Sequence, residues 1–349
     1  TYYNVIMDLL PYNTFRVSAQ AKNFRIVLEK KDVPSEPCLV LGEGANILFT
    51  NGVDGLVVKN EIKGRKIISN DNDHVVIDLG SGENWHEFVM WSVEQGLSGI
   101  ENLALIPGTV GAAATGNIAA YGQNVGEVIT EVAGISFDNG QNEILSYHDC
   151  KFYYRDSVFK NELNNKFFIT NVTFRLSKIP KYDLNYYGRF AYESLKSELD
   201  KITKPPYSPK QVAQATIAQR KIKMPDWTKI GTAGSFFKNP FVSKGKYADL
   251  QKEVSELQSY PINKMLYPNP DDPVFQMTDQ VKIPVGRLLD KLGWKGKKIG
   301  RVGTFEKHAL VIINLGGATG LEILDFAQQM QSDIKKHFDI DLIPEVNII

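Results

Sequence analysis

Between Leu105 and Gly126 the chain reads LIPGTVGAAATGNIAAYGQNVG, with five glycines, a run of alanines and no charged side chain. Glycine loses more backbone freedom on ordering than any other residue, so a fixed loop of this composition is entropically costly. Something must offset that cost. A tightly packed helix–helix or helix–sheet contact would do so, and so would close backbone contact with a large anionic cofactor. The stretch does not end in Gly-Lys-Ser/Thr, which argues against a Walker-type phosphoryl transferase.

A second glycine loop, GEGANI (Gly42–Ile47), lies between two apolar runs. A dinucleotide fingerprint would need a third glycine where Ile47 stands. Two readings remain: a plain turn between strands, or a loop whose bare N–H groups approach a phosphate.

Around these loops the pattern is mixed. CLVLGEGANILF, GLVVKN and HVVIDLGSG read as strands with glycine turns, and Cys38 falls in the first as a buried residue. NWHEFVMWSVEQG predicts a helix with Asn84 as N-cap, Glu87 at the reciprocal position, Trp85, Phe88, Val89 and Val93 on the buried side, and Gly96 at its end. Strands return between about 127 and 178. Ser208-Pro209-Lys210-Gln211 opens another helix with a capping box and a first-position proline. The stretch from 240 to 273 carries five prolines and reads as irregular. A short helix is expected over Val285–Leu292, a strand over HALVIIN, and a long helix after Thr319, burying Ile323, Ala327, Met330, Ile334 and Phe338. DLIPEVNII reads as a terminal strand. The class is α+β in several parts, with boundaries near 65 and 220; the βαβ repeat is too irregular for a doubly wound sheet.

At 349 residues the chain has room for two or three domains. Lys+Arg and Asp+Glu are equal at 40 each, so no basic excess points to nucleic acid. Cys38 and Cys150 are far apart, which fits neither a disulfide framework nor a metal spacing and suits a reducing cytosol. No signal peptide is expected, and apolar runs such as Ala309 to Asn314 are far shorter than a membrane span.

Several motifs can be tested for chemistry. WHEFVM begins like a zinc-protease helix, but Met90 stands where the second histidine belongs, and the five histidines form no spaced cluster, so no metal is expected. Gly-x-Ser-x-Gly is absent, and no histidine base is paired with Ser235. GTAGSFFKNP (Gly231–Pro240) offers one hydroxyl, Ser235, between glycines and phenylalanines. It is either a turn into a buried strand or a loop that presents a proton donor. FYYRDSVFK sets Arg155 among aromatics, where a guanidinium needs a carboxylate partner, Asp156 being nearest in sequence, or an anionic ligand. Glu345 in IPEVNII is either exposed at a sheet edge or held at a site.

LGEGANILF, GSGENWHEFV, GLSGIENLALIPGTVGAAATGNIAAYG, CKFYYRDSVFK, GTAGSFFKNP and IPEV, in this order, resemble the UDP-N-acetylenolpyruvoylglucosamine reductase family. The resemblance runs from NTFRV (Asn13–Val17) to Pro344-Glu345-Val346. NYYGR and the long spacer before IPVGRLLD are similar to the form of the family with a tyrosine loop over the substrate. The resemblance implies a vanillyl-alcohol-oxidase-type, two-part FAD-binding domain, 1–65 and 66–220, then an α+β substrate-binding domain, 221–339. The terminal strand, 340–349, would return to the site.

Noncovalent FAD would be held by Gly42, Glu43, Gly44, Ala45 and Asn46 in the first loop. In the second it would meet Ile106, Pro107, Gly108, Gly111, Ala112, Asn117, Ala119, Tyr121 and Gly122. Ala45, Ala114, Gly116 and Ala119 depart from the family's usual serine, proline, glutamine and glycine, and Lys307 and His308 lie where glutamine is frequent. The implied reaction is NADPH-dependent reduction of UDP-N-acetylglucosamine enolpyruvate in peptidoglycan synthesis. Arg155 would bind the enolpyruvyl carboxylate, Glu345, protonated, would bond the same group, and Ser235 would protonate the α-carbon. Phe236 and Phe237 would exclude water. Tyr187, Lys223, Asn239, Tyr267 and Lys282 would hold the UDP-sugar. A cytoplasmic monomer with small-molecule partners, no nucleic acid and no membrane is expected. Two alternatives stay open: another FAD oxidoreductase of this fold, or a catalytically silent nucleotide-sugar or flavin-binding protein.

Overall fold

The computed structural model describes residues 6–180, 184, 193–260, 262 and 269–349. Near the N-terminus, strands β1 (Met7–Asp8), β2 (Gln20–Val27), β3 (Leu39–Leu41) and β5 (Val53–Asn60) form a sheet in the order β1-β2-β5-β3, while the short β4 (Ile47–Leu48) stays outside it. β5 is central and runs parallel to both β2 and β3. A parallel strand must be covered on both faces. Successive side chains alternate between the faces. Val57 accordingly packs with Leu41, Phe24 and Phe49, whereas Val58 packs with Val27, Phe137 and Phe168 on the other side. Phe168 comes from the next sheet and Phe137 directly follows one of its strands, so this second face joins the two.

That next sheet is antiparallel, formed by β6 (Arg65–Asn70), β7 (His74–Gly80), β10 (Ile129–Ser136), β11 (Asn142–Ser146) and β12 (Phe167–Ser177) in the order β11-β10-β12-β7-β6. Helix α1 (Trp85–Glu94) lays Trp85, Phe88, Val89 and Val93 into one core with Phe174, and the Trp85 indole N–H donates to Leu103 O at 3.1 Å. Asn84 caps it through Glu87 N, as the sequence predicts. Between α1 and β10 the uncharged stretch becomes helix α2 (Val110–Gly116) and a hairpin of β8 (Ala119–Ala120) and β9 (Gln123–Asn124). Tyr121 and Gly122, at φ 46 and 86, form its two-residue turn, with the positive φ at both positions that such a turn requires.

Helices α3 (Glu193–Ile202) and α4 (Pro209–Lys223) follow, α4 starting at the expected Ser208–Gln211 capping box. The C-terminal part holds β13 (Phe241–Ser243), α5 (Lys244–Glu253), β14 (Gln280–Lys282), α6 (Val285–Lys291), β15 (Lys298–Ile299), β16 (Val302–Phe305), β17 (His308–Asn314), α7 (Gly320–Phe338) and β18 (Asn347–Ile348). The five apolar residues expected on one side of α7 are all buried, and Thr319 forms its capping box with Glu322. Trp294 meets Phe326 edge to face at 5.2 Å in the same core, worth about 1 kcal/mol beyond area burial.

Two expectations need correction. The proline-rich stretch contains α5, capped by Ser243; its face is so polar that Leu250 is its one buried residue, which left little periodicity to read. The terminal segment is a strand over Asn347–Ile348 alone, parallel to β4. Residues before it bond instead to the loop that carries Ser235. No helix among the described residues is long and apolar enough to cross a membrane.

Candidate active site

GTAGSFFKNP lies between β17 and the C-terminal segment. Phe236 N donates to Leu310 O at 2.9 Å, and Glu345 N donates to Phe236 O at 2.8 Å. Isolated bridges pair Ser235 with Val311 and Phe237 with Pro344. Gly231 is glycine for a steric reason: a Cβ there would lie 2.3 Å from Phe15 O. The NTFRV segment is thereby bound to this loop, with Thr14 Oγ1 donating to Thr232 O at 2.6 Å and Asn314 Nδ2 to Phe15 O at 2.9 Å. Phe236 and Phe237 are fully buried in the C-terminal core beside Phe15 and Leu48. They anchor the loop from behind.

Arg155 sits at φ +52 in a tight turn closed by Tyr153–Asp156 backbone bonds. A left-handed arginine is strained, and such strain clusters at functional positions. Its Nη2 donates to Ala119 O at 2.8 Å, and its Nε lies 3.2 Å from Glu345 Oε1. Asp156, the partner nearest in sequence, accepts instead from Ser157 N and Asn161 Nδ2. Both side chains of the Arg155–Glu345 pair keep about a quarter of their surface exposed, 23% and 26%, so solvent or a ligand can reach them. The Glu345 carboxyl stands within ion-pair distance of the Arg155 guanidinium. The Arg155–Glu345 pair, from two distant segments, thus lies one backbone hydrogen bond from a third, the loop that carries Ser235.

The surroundings are cationic and aromatic. Lys282, in β14, lies over the Tyr154 ring at 4.6 Å and the Tyr260 ring at 5.5 Å. Burial, reinforced by Arg155, pulls its ammonium down to about 7. Burial holds the Tyr154 hydroxyl far above its ordinary range. Lys160 is lowered by burial and then by Lys238, with Glu345 nearby acting in the other direction. Asn239 accepts from Val285 N at 3.1 Å through Oδ1, tying the Ser235 loop to the start of α6. Lys223 ends α4 on the side of His308, whose imidazole is driven down to about 4 by burial and then by Lys223. Tyr187 and Tyr267 lie outside the described residues. Tyr154, Tyr260, Lys160 and Lys238 escaped the sequence reading. Three of them adjoin motif residues already singled out, which is the signal that was available; Tyr260 had none.

The two glycine loops also come together. A Cβ on Gly42 would strike Thr109 Oγ1 at 2.5 Å, and Gly44, at φ +61, would place one 2.1 Å from Tyr12 O. The Glu43 carboxylate bridges the loops, accepting from Gly108 N at 2.8 Å and from Asn84 Nδ2. Asn117 caps α2 in the left-handed region; its amide bonds Tyr153 O at 2.7 Å and Gly126 N at 3.1 Å, which fixes the turn bearing Arg155. Asn46 Nδ2 donates to Glu345 O at 3.1 Å. Ala45, Ile106, Pro107, Ala119, Tyr121 and Gly122 are half-buried, Gly111 is buried against Ser81, and Ala112 is exposed.

These residues fit FAD. The Gly108 N–H of the second loop and the Asn84 amide already converge on one anionic group, the Glu43 carboxylate of the first loop. A Cβ on Gly108 would meet nothing within 4 Å, so there is open space in front of that peptide. Cys38 and Cys150 are buried and free, their thiols pushed up to about 12 by burial.

Residues 28–141 match the FAD binding domain family, and residues 225–349 match the UDP-N-acetylenolpyruvoylglucosamine reductase, C-terminal domain. The UDP-N-acetylenolpyruvoylglucosamine reductase of Burkholderia ambifaria is 38% identical over 348 residues, covering 97% of this chain and 94% of that one. The Burkholderia multivorans enzyme of the same name is 37% identical over the same coverage. A solved UDP-N-acetylenolpyruvylglucosamine reductase from Thermus caldophilus shares the fold, at TM-score 0.67 and 21% identity, covering 100% of this chain and 99% of that one. With a relative this similar across nearly its whole length, the chain belongs to the UDP-N-acetylenolpyruvoylglucosamine reductase family of FAD-dependent oxidoreductases.

Proposed function

We propose that this protein reduces the enolpyruvyl group of UDP-N-acetylglucosamine enolpyruvate to UDP-N-acetylmuramate, in peptidoglycan synthesis, with NADPH as reductant. The observation that carries the mechanism is the Arg155–Glu345 pair at 3.2 Å, one hydrogen bond from the Ser235 loop. Bound FAD supplies the hydride, accepted from NADPH and delivered to the enolpyruvyl β-carbon. Negative charge then develops at the α-carbon and spreads into the substrate carboxylate. Arg155 binds that carboxylate; its planar cation suits a two-oxygen anion and stabilises the enolate best, where charge is greatest. Glu345, held against Arg155, orients it and takes part in the same hydrogen-bonded group. Ser235 protonates the α-carbon. A serine hydroxyl is a weak acid, so the transfer relies on a strongly basic enolate and a fixed geometry.

The remaining roles follow from charge. Lys282 and Lys223 face the diphosphate, as cations on the substrate side, and the Asn239 amide N–H group bonds the sugar nucleotide while its oxygen holds α6. Tyr187 and Tyr267 complete this set. The residues named above in the two glycine loops hold FAD without a covalent tether. For Glu43, Asn46 and Asn117 we assign the contact to the backbone, because their side chains bond other protein groups. The FAD-binding parts are 1–65 and 66–220, the substrate-binding part is 221–339, and 340–349 returns to the site; the change of sheet between β5 and β6 supports the first division. The protein acts as a monomer in the cytoplasm, the compartment that its free buried thiols favour.

An anaerobic titration tests the reaction. NADPH should bleach the flavin of the yellow protein, and the enolpyruvyl substrate should restore it in proportion. A colourless protein that takes up no FAD, or a reduced flavin indifferent to that substrate, ends this reading.

A further inference from the structure

The backbone of Glu345 is held from two sides. Its N–H donates to Phe236 O at 2.8 Å, in the Ser235 loop. Its C=O accepts from Asn46 Nδ2 at 3.1 Å, in the first glycine loop, across 299 residues of sequence. The carbonyl of the same Asn46 accepts from Asn347 N at 3.1 Å and from Asn347 Nδ2 at 2.9 Å. Beyond it, β18 continues parallel to β4, with Asn347 opposite Ile47 and Ile348 opposite Leu48. Asn46 therefore fixes both residue 345 and residue 347, and the carboxylate of Glu345 reaches Arg155 at 3.2 Å.

A side chain can be placed to within a fraction of an ångström only if its own peptide is fixed. Here that peptide joins two parts of the site with separate tasks, the cofactor loop and the proton-donating loop. We propose that Asn46 is a positioning residue for Glu345, coupling the first glycine loop to the Arg155–Glu345 pair and so setting the rate of the substrate half-reaction. The inference rests on the reaction proposed above and adds a role distinct from holding FAD: the amide acts through Glu345.

The experiment separates the half-reactions by anaerobic stopped flow, with FAD content and Tm recorded for each variant. Wild-type protein comes first; if its reduced flavin is not reoxidised by the enolpyruvyl substrate, it is the reaction that falls. With that established, Asn46→Ala and the near-isosteric Asn46→Asp are expected to keep flavin and its reduction by NADPH. Reoxidation by substrate should slow about tenfold, as expected for a displaced reacting group. In a Glu345→Gln background, Asn46→Ala should change reoxidation by less than about twofold, because groups acting through one another are not additive. The same tenfold loss in that background overturns the proposal, as does a loss of FAD affinity with unchanged reoxidation. Asn347→Ala, at an exposed position, removes one bond to Asn46 without changing any residue of the glycine loop. A reoxidation rate slowed about twofold supports the clamp, and an unchanged rate counts against it even if the Asn46 variants fail to fold.

Discussion

In the two glycine loops the polar side chains mostly bond other protein groups: Glu43 bridges to Gly108 and Asn84, and Asn117 joins Tyr153 to Gly126. Small residues let these loops approach one another and leave backbone for a ligand. At the junction of Ser235, Arg155 and Glu345 the arrangement is reversed. Backbone bonds between distant segments hold the frame, while the functional side chains remain partly open. A cofactor that stays bound is suited by a scaffold of packed peptide. A substrate that must enter, receive charge and leave is suited by side chains at a seam. The two regions touch at Asn46, which belongs to the first loop and bonds the peptide of the second region's carboxylate.

This contrast predicts that substitutions at the seam alter chemistry at constant stability, whereas those in the loops, Asn46 at the junction apart, alter stability and flavin retention. Ser235→Ala should have the largest effect. Reoxidation of reduced flavin by the enolpyruvyl substrate should slow about a thousandfold while reduction by NADPH is spared. If both half-reactions survive unchanged in stopped flow, Ser235 is not the acid.

Arg155→Met should follow, lowering kcat/KM about a hundredfold by leaving the substrate carboxylate and Glu345 without their cation. The decisive comparison is whether Tm stays near that of wild type; a large fall would move Arg155 to the packing side of the contrast.

Gly44→Ala tests the opposite region. Its Cβ would stand 2.1 Å from Tyr12 O at φ +61, so a loss of about 3 kcal/mol in unfolding free energy and weaker flavin retention are expected. The fraction that keeps flavin should reoxidise at the wild-type rate; a slowed rate there would blur the division.

The smallest effect is expected at Lys282. Its ammonium is pulled down to about 7, so it is a cation below that pH and neutral above it. Bound diphosphate favours the cation, so this group should make kcat/KM fall as pH rises through 7, the profile reporting the free protein. Lys282→Met should raise KM about tenfold at pH 6 and flatten that limb. A variant with the wild-type pH profile would show that Lys282 does not meet the diphosphate.

Much of the fold was legible because its signals are local. The capping boxes at Ser208 and Thr319, the buried face of α7 and the strand before Gly80 depend on neighbours within a few residues. α5 was missed for the same reason, since its one buried residue, Leu250, gives no periodicity. At the candidate site, the family motifs pointed to Ser235, Arg155 and Glu345, yet nothing in the residues alone chose Glu345 over the adjacent Asp156 as the partner of Arg155. The phenylalanines after Ser235 were equally ambiguous, because apolar side chains serve a core or a pocket wall alike, and packing against Phe15 and Leu48 decided for the core.

The sequence by itself determined many of the helices and strands, the two glycine loops and, through its ordered motifs, the family and its cofactor. These follow from short-range backbone preference, side-chain periodicity and the order of motifs along one chain. The tertiary structure decided which charges face one another: that Arg155 meets Glu345, that Lys282 lies between Tyr154 and Tyr260, and that Asn46 reaches the peptide of Glu345. Coulomb attraction and hydrogen bonding act over a few ångströms of space, and segments separated by 299 positions in sequence come within that range only once the chain has folded.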